Sequence, residues 1–267
     1  PMSTQLEGLG IKIKTPYQAQ NLNPKPDFVV VGNVISANNP EAVELMKLGV
    51  PYSSLPKALG ELILKNHDTV CISGTHGKTT TTSMMSWVLE SAGKKPGFLI
   101  GGIPKNFNHS FRNPEKTSPY FVIEGDEYDT AFFDKVPKFV HYRPKHVILT
   151  SVEFDHADIY KDLDDVKSAF RKLLKLIPQD GTLIYHQNEK NIKDILGDSG
   201  TKSIYSYGFE TVADENHARC EVVKVTEKET EFKVYFKGQV LGPYQLHQPG
   251  DYNVLNATAV ALQSYLL

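Results

Sequence analysis

A short segment of the chain carries the residue types that bind phosphate. The segment reads Gly-Thr-His-Gly-Lys-Thr-Thr from position 74 to position 80. Its glycines allow a tight turn, after which the unpaired amides and the positive dipole end of a following helix attract anions. Lys78 adds a mobile cation for terminal phosphates, and the Thr79 hydroxyl can bind Mg²⁺. We therefore predict that seven residues contact a nucleotide: Gly74, Thr75, His76, Gly77, Lys78, Thr79 and Thr80.

This segment departs from the common phosphate-loop pattern. The pattern GxxxxGK[ST] requires a glycine at position 72, where the chain has Ile72. The alternative is a helix that happens to begin after Gly-Lys. However, an apolar run at Val70–Ile72 predicts a buried strand before the turn, and apolar spacing over 79–92 predicts a helix after it. This order of strand, glycine turn and helix favours the phosphate site.

A carboxylate follows a second apolar strand. Glu124 comes directly after the run Tyr120–Ile123. An acid in this position, downstream of a phosphate loop, is typical of enzymes that bind Mg²⁺ with a nucleotide. The alternative is a solvated acidic loop of four carboxylates: Glu124, Asp126, Glu127 and Asp129. Because Lys78 and Thr79 precede it, we predict that Glu124 is a catalytic residue and a metal ligand.

A histidine follows a third apolar run, over 146–152. His156 lies in Asp-His-Ala-Asp at 155–158, and no second histidine or cysteine has the spacing of a zinc site. A lone histidine is usually structural, which is the alternative here. Since the carboxyl ends of parallel strands share one sheet edge, we predict that His156 lies near Glu124 and binds a second metal ion or the transferred phosphoryl group.

Two asparagines open the last apolar segment, which predicts a helix over 253–267. Asn253 and Asn256 follow Gly-Asp-Tyr at 250–252. Asparagine is a common helix cap, so one interpretation is that Asn253 caps this helix and Asn256 is incidental. The other interpretation is that both side chains contact the nucleotide.

Strands and helices alternate along most of the chain, which is typical of an α/β fold. The apolar patterns include a strand at 28–31, a helix at 40–48, a strand or loop from 51, and a helix at 162–177. Alternating polar and apolar residues at 220–225 and 231–236 instead predict antiparallel strands. We predict a phosphate-loop central domain with a mainly parallel sheet and a small antiparallel portion, preceded by part of a Rossmann-like N-terminal domain. The expected boundaries are 1–65 and 66–267. We expect the chain to be cut at both ends, because its first 65 residues hold too few strands and its last helix has no cap.

Composition excludes several classes of protein. The 267 residues carry a net charge of −2, which gives no general attraction to nucleic acid or anionic membranes. Two distant cysteines, Cys71 and Cys220, do not suggest a disulfide scaffold. No apolar run approaches the roughly 18 residues of a membrane span. We predict a cytoplasmic protein without nucleic-acid or membrane partners.

Taken in order, these motifs resemble those of the Mur ligases, which are ATP-dependent amide-forming enzymes of bacterial cell-wall synthesis. The motifs are Gly74–Thr80, the acidic segment 124–127, the segment 155–158, and Asn253 with Asn256. The block 124–145 is similar to the branch that joins the tripeptide L-Ala-γ-D-Glu-meso-diaminopimelate to UDP-N-acetylmuramate during peptidoglycan recycling. The family plan implies a UDP-sugar domain, a central ATP domain and a C-terminal peptide-binding domain, the last absent from this chain.

The resemblance also implies a chemistry and a role for each residue. ATP phosphorylates the sugar-linked carboxylate, and the tripeptide amine attacks the resulting acyl phosphate. Lys78 and the loop amides would hold the β- and γ-phosphates. Thr79 and Glu124 would hold one Mg²⁺, His156 would hold a second, and Asn253 and Asn256 would contact adenine. Two alternatives stay open: another Mur-type enzyme, such as the UDP-N-acetylmuramate–L-alanine ligase, or a phosphate-loop nucleotide-binding module that is not a ligase.

Overall fold

The computed structural model describes residues 2–155, 157 and 159–267. Its helices are α1 (Met2–Gly8), α2 (Pro40–Leu48), α3 (Leu55–Leu62), α4 (Lys78–Ser91), α5 (Leu163–Leu176), α6 (Lys190–Lys193) and α7 (Asp251–Leu266). Its strands are β1 (Val29–Val31), β2 (Tyr52–Ser54), β3 (Asp68–Ser73), β4 (Gly97–Leu99), β5 (Phe111–Arg112), β6 (Tyr120–Gly125), β7 (Asp129–Ala131), β8 (Asp134–Pro137), β9 (Pro144–Leu149), β10 (Thr182–His186), β11 (Ile204–Gly208), β12 (His217–Val225), β13 (Thr230–Phe236) and β14 (Gln239–Leu246).

Most of the chain is built on one ten-stranded sheet. Its order is β14-β13-β12-β11-β10-β9-β3-β6-β4-β5. The neighbours from β12 through β4 pair in parallel, whereas β13 and β14 at one edge and β5 at the other pair antiparallel. The predicted α/β class, with a mainly parallel sheet and a smaller antiparallel portion, is confirmed.

Strand β3 lies inside this sheet, and both of its faces are covered. Val70 and Ile72 point into one apolar cluster, which contains residues of α4 and α7. Cys71 points into the opposite cluster, which contains residues of α5. Parallel sheets are normally buried on both faces, and such strands read as continuous apolar runs. The core therefore has three layers, with α4 and α7 on one side of the sheet and α5 on the other.

Helix α5 shows how local sequence fixes an element. The Asp162 side chain accepts hydrogen bonds from the amides of Asp164 and Asp165, which caps the first turn. Apolar residues then recur on one face, where Phe170 and Leu173 are fully buried. The sequence prediction of a helix over 162–177 agrees with the structure to within a residue at each end.

Strands β1 and β2 form a smaller N-terminal unit with α2, whereas Leu64, which follows α3, belongs to the larger cluster that contains α5. Strands β1 and β2 pair in parallel as a separate two-stranded sheet. A small core of Val31, Leu45 and Val50 joins this sheet to α2. The elements predicted near 28–31, 40–48 and 52 are present.

Four short strands were not predicted. They are β5, β7, β8 and β14. The hairpin β7–β8 was not predicted because its strands have only three and four residues. A regular alternation of polar and apolar residues cannot be recognised in so short a segment. This hairpin connects the acidic segment to the N-terminal unit: the rings of Phe133 and Tyr52 make an edge-to-face contact at 4.9 Å.

Within the described residues, no helix has both the length and the apolar character that a membrane crossing requires. Cys71 and Cys220 are buried free thiols.

The buried face of α5 gives a test of the core. Replacing Leu173, which is fully buried, with alanine removes apolar contacts and leaves a cavity, so we expect the free energy of unfolding to fall by about 2–5 kcal/mol. The matched control is Leu176→Ala on the same helix, because Leu176 is 39% exposed and the expected loss is about 1 kcal/mol or less. Urea denaturation followed by circular dichroism measures both; equal losses would contradict this packing.

Candidate active site

The candidate site lies where three parallel strands end. The loop at 74–77 follows β3, Glu124 is the penultimate residue of β6, and Thr150 follows β9. β3 pairs with β6 on one side and β9 on the other, so these carboxyl ends meet at one sheet edge, where ligands of open α/β sheets bind. The sequence prediction that the polar segments gather at this edge agrees with the structure for the described residues.

The two loop glycines are required by the backbone. Gly74 has φ +129° and Gly77 has φ +83°, a region that favours glycine. A Cβ atom on Gly74 would also lie 2.3 Å from the Thr150 Oγ1 atom. Ile72, where the common pattern has glycine, is a fully buried member of β3. The strand therefore continues to Ser73 and the turn begins at Gly74. Position 72 lies within the strand and does not need a glycine.

The segment after β9 braces this loop. The amide of Thr75 donates to the Ser151 carbonyl at 3.0 Å, and the amide of His76 donates to the Ser151 hydroxyl at 3.0 Å. The Thr150 hydroxyl donates to the His76 carbonyl at 2.5 Å. The loop backbone is thus fixed from outside, so it is ordered before any ligand arrives. No local pattern predicts this brace, because the two segments are more than 70 positions apart in the chain.

The start of α4 is free of side-chain capping. Its N-cap residue is Gly77, which makes no side-chain hydrogen bond to the first turn. By contrast, α2, α3 and α5 are capped by Asn39, Ser54 and Asp162. Side-chain capping satisfies amides that would otherwise attract an anion. The first turn of α4 therefore suits a phosphate group.

Thr79 and Glu124 form an oxygen pair beside this helix start. The Thr79 hydroxyl donates to the Glu124 Oε2 atom at 3.0 Å, and the Gly101 amide donates to Oε1 at 2.5 Å. Burial raises the pKa of Glu124 above its ordinary value, while the hydrogen bonds from Gly101 and Thr79 act in the opposite direction. Two of the three predicted metal ligands, Thr79 and Glu124, are therefore in direct contact.

This oxygen pair suits Mg²⁺ better than it suits an ion that needs a full set of protein ligands. Among the residues that the structure describes, no three histidine, cysteine, aspartate or glutamate side chains are grouped to hold a metal. Mg²⁺ takes hard oxygen ligands and usually binds through one or two protein groups, with water and substrate phosphates completing its shell. Thr79 and Glu124 would supply the protein's share.

Lys78 lies between the loop and the acidic segment. Its Nζ atom donates to the Gly74 carbonyl at 2.6 Å and lies 3.2 Å from the Glu127 Oε2 atom. The Glu127 side chain is 3% exposed and that of Lys78 is 13% exposed. The acidic segment is therefore not a solvated loop. The partnership of Glu127 with Lys78 was not predicted, although the basic residue of a phosphate loop is a natural partner for a nearby buried acid.

The remaining acids of the segment have their own lysines. Asp126 pairs with Lys138 at 2.9 Å, and Asp129 pairs with Lys135 at 2.8 Å. Lys138 also lies over the Tyr128 ring, with its Nζ atom 4.2 Å from the ring centroid. Lysines therefore balance three of the four acids of this segment, whereas Glu124 contacts Thr79.

Helix α7 brings the two asparagines to the loop. The helix begins at Asp251 with Gly250 as its N-cap, so Asn253 lies within the first turn and does not cap it. Asn253 donates from Nδ2 to the Pro249 carbonyl at 2.7 Å. The Asn256 Oδ1 atom is so near Gly77 that a Cβ atom there would lie 3.0 Å from it. Asn256 is thus in contact with the phosphate loop.

A groove of about 1030 Å³ extends from this loop between α4, α7 and β14. Thr79 and Thr80 lie at its phosphate end, and Asn253 and Asn106 are among its polar lining residues. Trp87 belongs to its apolar wall. Thr80, which the sequence placed in the nucleotide site, therefore faces the same open space as Asn253.

His156 lies outside the described residues. The strand that precedes it, β9, is separated from β6 by β3, so the ends of these two strands are at the same edge but are not neighbours. The assignment of His156 to a second metal ion stays a prediction.

Comparison with known families supports the same interpretation. A model described as the Mur ligase middle domain matches residues 72–263, and one described as the Mur ligase family catalytic domain matches residues 1–67.

Individual relatives share most of this chain. It is 40% identical over 256 residues to the UDP-N-acetylmuramate–L-alanyl-gamma-D-glutamyl-meso-2,6-diaminoheptandioate ligase of Escherichia coli (strain K12), covering 96% of this chain and 54% of that protein. It is 34% identical over 260 residues to the UDP-N-acetylmuramate–L-alanine ligase of Clostridium botulinum (strain Loch Maree / Type A3), covering 97% of this chain and 54% of that protein. The chain thus spans about half the length of these curated relatives.

A solved structure has the same fold. The crystal structure of the UDP-N-acetylmuramate:L-alanyl-gamma-D-glutamyl-meso-diaminopimelate ligase from Neisseria meningitides superposes with a TM-score of 0.87 at 40% identity. The match covers 100% of this chain and 82% of that chain.

The environment of Glu124 predicts a pH effect on stability. Because burial raises its pKa in the folded chain above 4.5, the unfolded carboxyl group loses its proton at lower pH than the folded one. The wild-type chain therefore loses stability as the pH rises from 4.5 through the folded-state pKa. Glu124→Gln cannot lose this proton, so its melting temperature should rise relative to that of the wild type across this interval and then level off.

Thermal melts between pH 4 and pH 8 measure this difference. A control variant, Asp129→Asn, removes a more exposed acid of the same segment that is paired with Lys135, so it should not show the same rise. A constant difference between Glu124→Gln and the wild type at every pH would contradict the assigned environment.

Proposed function

The chain belongs to the Mur ligase family, and from that premise we propose that it provides the ATP-binding site of a ligase. The proposed reaction joins L-alanyl-γ-D-glutamyl-meso-diaminopimelate to UDP-N-acetylmuramate in peptidoglycan recycling. The observation that carries the proposal is the contact of Thr79 with Glu124 beside the uncapped start of α4, with Lys78 in the same loop. The 40% identity to the Escherichia coli ligase supports the choice of substrates.

We also propose a division of labour along the chain. Residues 1–65 would contribute to binding the UDP-sugar, and residues 66–267 would bind ATP. The separate β1–β2 sheet and the two family matches support this division. The hairpin β7–β8 would then connect the two parts, since the Ser54 hydroxyl and the His141 ring both bond to Asp134.

The phosphates of ATP would bind at the start of α4. Its first turn has no side-chain cap, and Ser151 and Thr150 already hold the preceding loop in place. Lys78 would neutralise charge on the terminal phosphates. Such an arrangement accelerates phosphoryl transfer mainly by positioning and by charge stabilisation. Asn253 would lie along the groove on the adenine side, and Asn256 would contact the nucleotide from its position against Gly77.

Thr79 and Glu124 would hold Mg²⁺, and His156 is proposed as the ligand of a second ion. When bound, Mg²⁺ neutralises phosphate charge and orients the reacting oxygens. Gly101 holds the Glu124 carboxylate from its other oxygen, which keeps Oε2 directed at Thr79. The protein's own contribution is thus a pair of oxygens fixed in place before the metal arrives.

The chemistry would follow in two balanced steps. An oxygen of the sugar-linked carboxylate attacks the γ-phosphorus of ATP, and ADP leaves, which gives an acyl phosphate. The tripeptide amine then attacks the acyl carbon, inorganic phosphate leaves, and the nitrogen loses a proton. Holding the reactants in attack geometry can supply a large part of the rate, so the rigid loop and its brace are expected to matter.

The assignment of Lys78 can be tested on this chain directly. Lys78→Ala removes a charge-assisted hydrogen bond to phosphate, a contact worth about 1.5–3 kcal/mol, so the dissociation constant for a non-hydrolysable ATP analogue with Mg²⁺ should rise at least about tenfold. Lys94→Ala is the matched control, because Lys94 is an exposed lysine beyond the opposite end of α4. Isothermal titration calorimetry measures both. Equal affinities for the wild type and Lys78→Ala would refute this role.

The substrate assignment requires the full reading frame that contains this chain. With ATP, Mg²⁺ and UDP-N-acetylmuramate, the encoded protein should use the tripeptide at least about tenfold faster than L-alanine, because a site built to bond a polar substrate discriminates strongly against one that lacks those groups. Mass spectrometry identifies the product. Preference for L-alanine would instead favour the alternative shared with the Clostridium botulinum relative. ATP turnover unaffected by either substrate would indicate a module that is not a ligase.

A further inference from the structure

The ion pair between Lys78 and Glu127 is more deeply buried than a typical surface pair. The Lys78 Nζ atom and the Glu127 Oε2 atom lie 3.2 Å apart, and the Glu127 side chain is 3% exposed. The Tyr160 hydroxyl donates to the main-chain carbonyl of Glu127, which fixes the backbone that carries this acid. Burying a charged carboxylate is costly unless a partner compensates for it. The position of Glu127 therefore depends on Lys78, and that of Lys78 depends on Glu127.

The hydrogen bonds of Lys78 define the direction of its ammonium group. A lysine ammonium has three N–H donors. One points to the Gly74 carbonyl at 2.6 Å and another to Glu127. The Thr75 carbonyl, at 3.5 Å, is at the limit of hydrogen-bond distance. The third donor thus makes only a long bond, which a phosphate oxygen can replace, and Gly74 and Glu127 together determine where this donor points.

Charge also limits what this site attracts without a metal. Lys78 contributes one positive charge, and the carboxylate of Glu127 balances it at 3.2 Å. Glu124 adds a further acid that contacts Thr79 in the same site. A nucleotide without a metal carries several negative charges, so both carboxylates oppose its approach. A divalent cation bound to the phosphates offsets that repulsion.

We propose that Glu127 is a positioning residue for Lys78 and that its charge makes nucleotide binding depend on Mg²⁺. The inference rests on the proposed ATP site. Glu127 orients the ammonium toward the phosphates, and it prevents Lys78 from attracting a metal-free nucleotide by charge alone. The chain thereby selects the metal-bound form of the nucleotide.

The test measures the dissociation constant of ADP by calorimetry, once with Mg²⁺ and once with a chelator. The quantity of interest is the ratio of the metal-free to the Mg²⁺ dissociation constant. Glu127→Gln keeps the shape and an acceptor oxygen but removes the charge. A phosphate bound on the far side of the Lys78 ammonium would lie roughly 6 Å from this charge, where one unit charge changes binding by about tenfold at an effective dielectric of about 40. We therefore expect the ratio to fall about tenfold below that of the wild type.

Asp129→Asn is the matched control. It removes an acid of the same segment, but this acid is paired with Lys135 and not with Lys78. Its ratio should equal that of the wild type. An unchanged ratio in Glu127→Gln, or an equal fall in Asp129→Asn, would overturn the inference, because the effect would then be absent or would belong to the segment's charge in general.

A second variant separates orientation from charge and also serves if Glu127→Gln does not fold. Glu127→Asp keeps the charge but shortens the reach to Lys78. It should leave the ratio unchanged while weakening binding of the Mg²⁺ form about tenfold, whereas undiminished affinity would overturn the orienting role. A merely structural role would lower the melting temperature without changing either pattern. Failure of the wild type to bind ADP would overturn the proposed function and this inference together, whereas wild-type binding with unaltered Glu127 variants would overturn the inference alone.

Discussion

The burial of β3 on both faces is the constraint on which the rest of the site depends. Because Val70, Cys71 and Ile72 are enclosed by helices on either side, β3 cannot shift without disturbing both apolar clusters. Its two neighbours in the sheet are β6 and β9, so the ends of all three strands are held in register. The phosphate loop follows the end of β3, Glu124 of the Thr79–Glu124 oxygen pair lies at the end of β6, and Thr150 and Ser151 follow β9. Packing within the core thus sets distances between residues that are far apart in sequence.

Charge is arranged in this site by individual pairs. Three acids of the segment after β6 have lysine partners: Asp126 with Lys138, Glu127 with Lys78, and Asp129 with Lys135. Glu124 differs, since its partners are a hydroxyl and a backbone amide. A carboxylate held by neutral donors still carries an uncompensated charge, which is what a divalent cation requires. The pairing of the other acids therefore favours Glu124 over its neighbours as the proposed metal ligand.

The hairpin β7–β8 links this charge arrangement to the N-terminal unit. Its base follows Glu127, while its tip contributes Phe133, which contacts Tyr52. Phe132 packs against the small core around Val31 and Leu45. The hairpin therefore connects the N-terminal unit with the segment that carries Glu127, the ion-pair partner of Lys78.

The sequence by itself determined the elements whose signals are local: the buried strands, the capped helix α5, and the glycine turn before Lys78, because apolar periodicity and turn chemistry are properties of neighbouring residues. It also allowed Thr79 and Glu124 to be assigned to one site, since a parallel sheet brings its strand ends together. Only the tertiary structure decided which acid pairs with which lysine. It also showed that Asn253 does not cap α7 and that Asn256 lies against Gly77. It alone also revealed the hairpin and the Ser151 brace. Those contacts join residues tens of positions apart, and their partners are selected by packing geometry, which no local pattern in the sequence records.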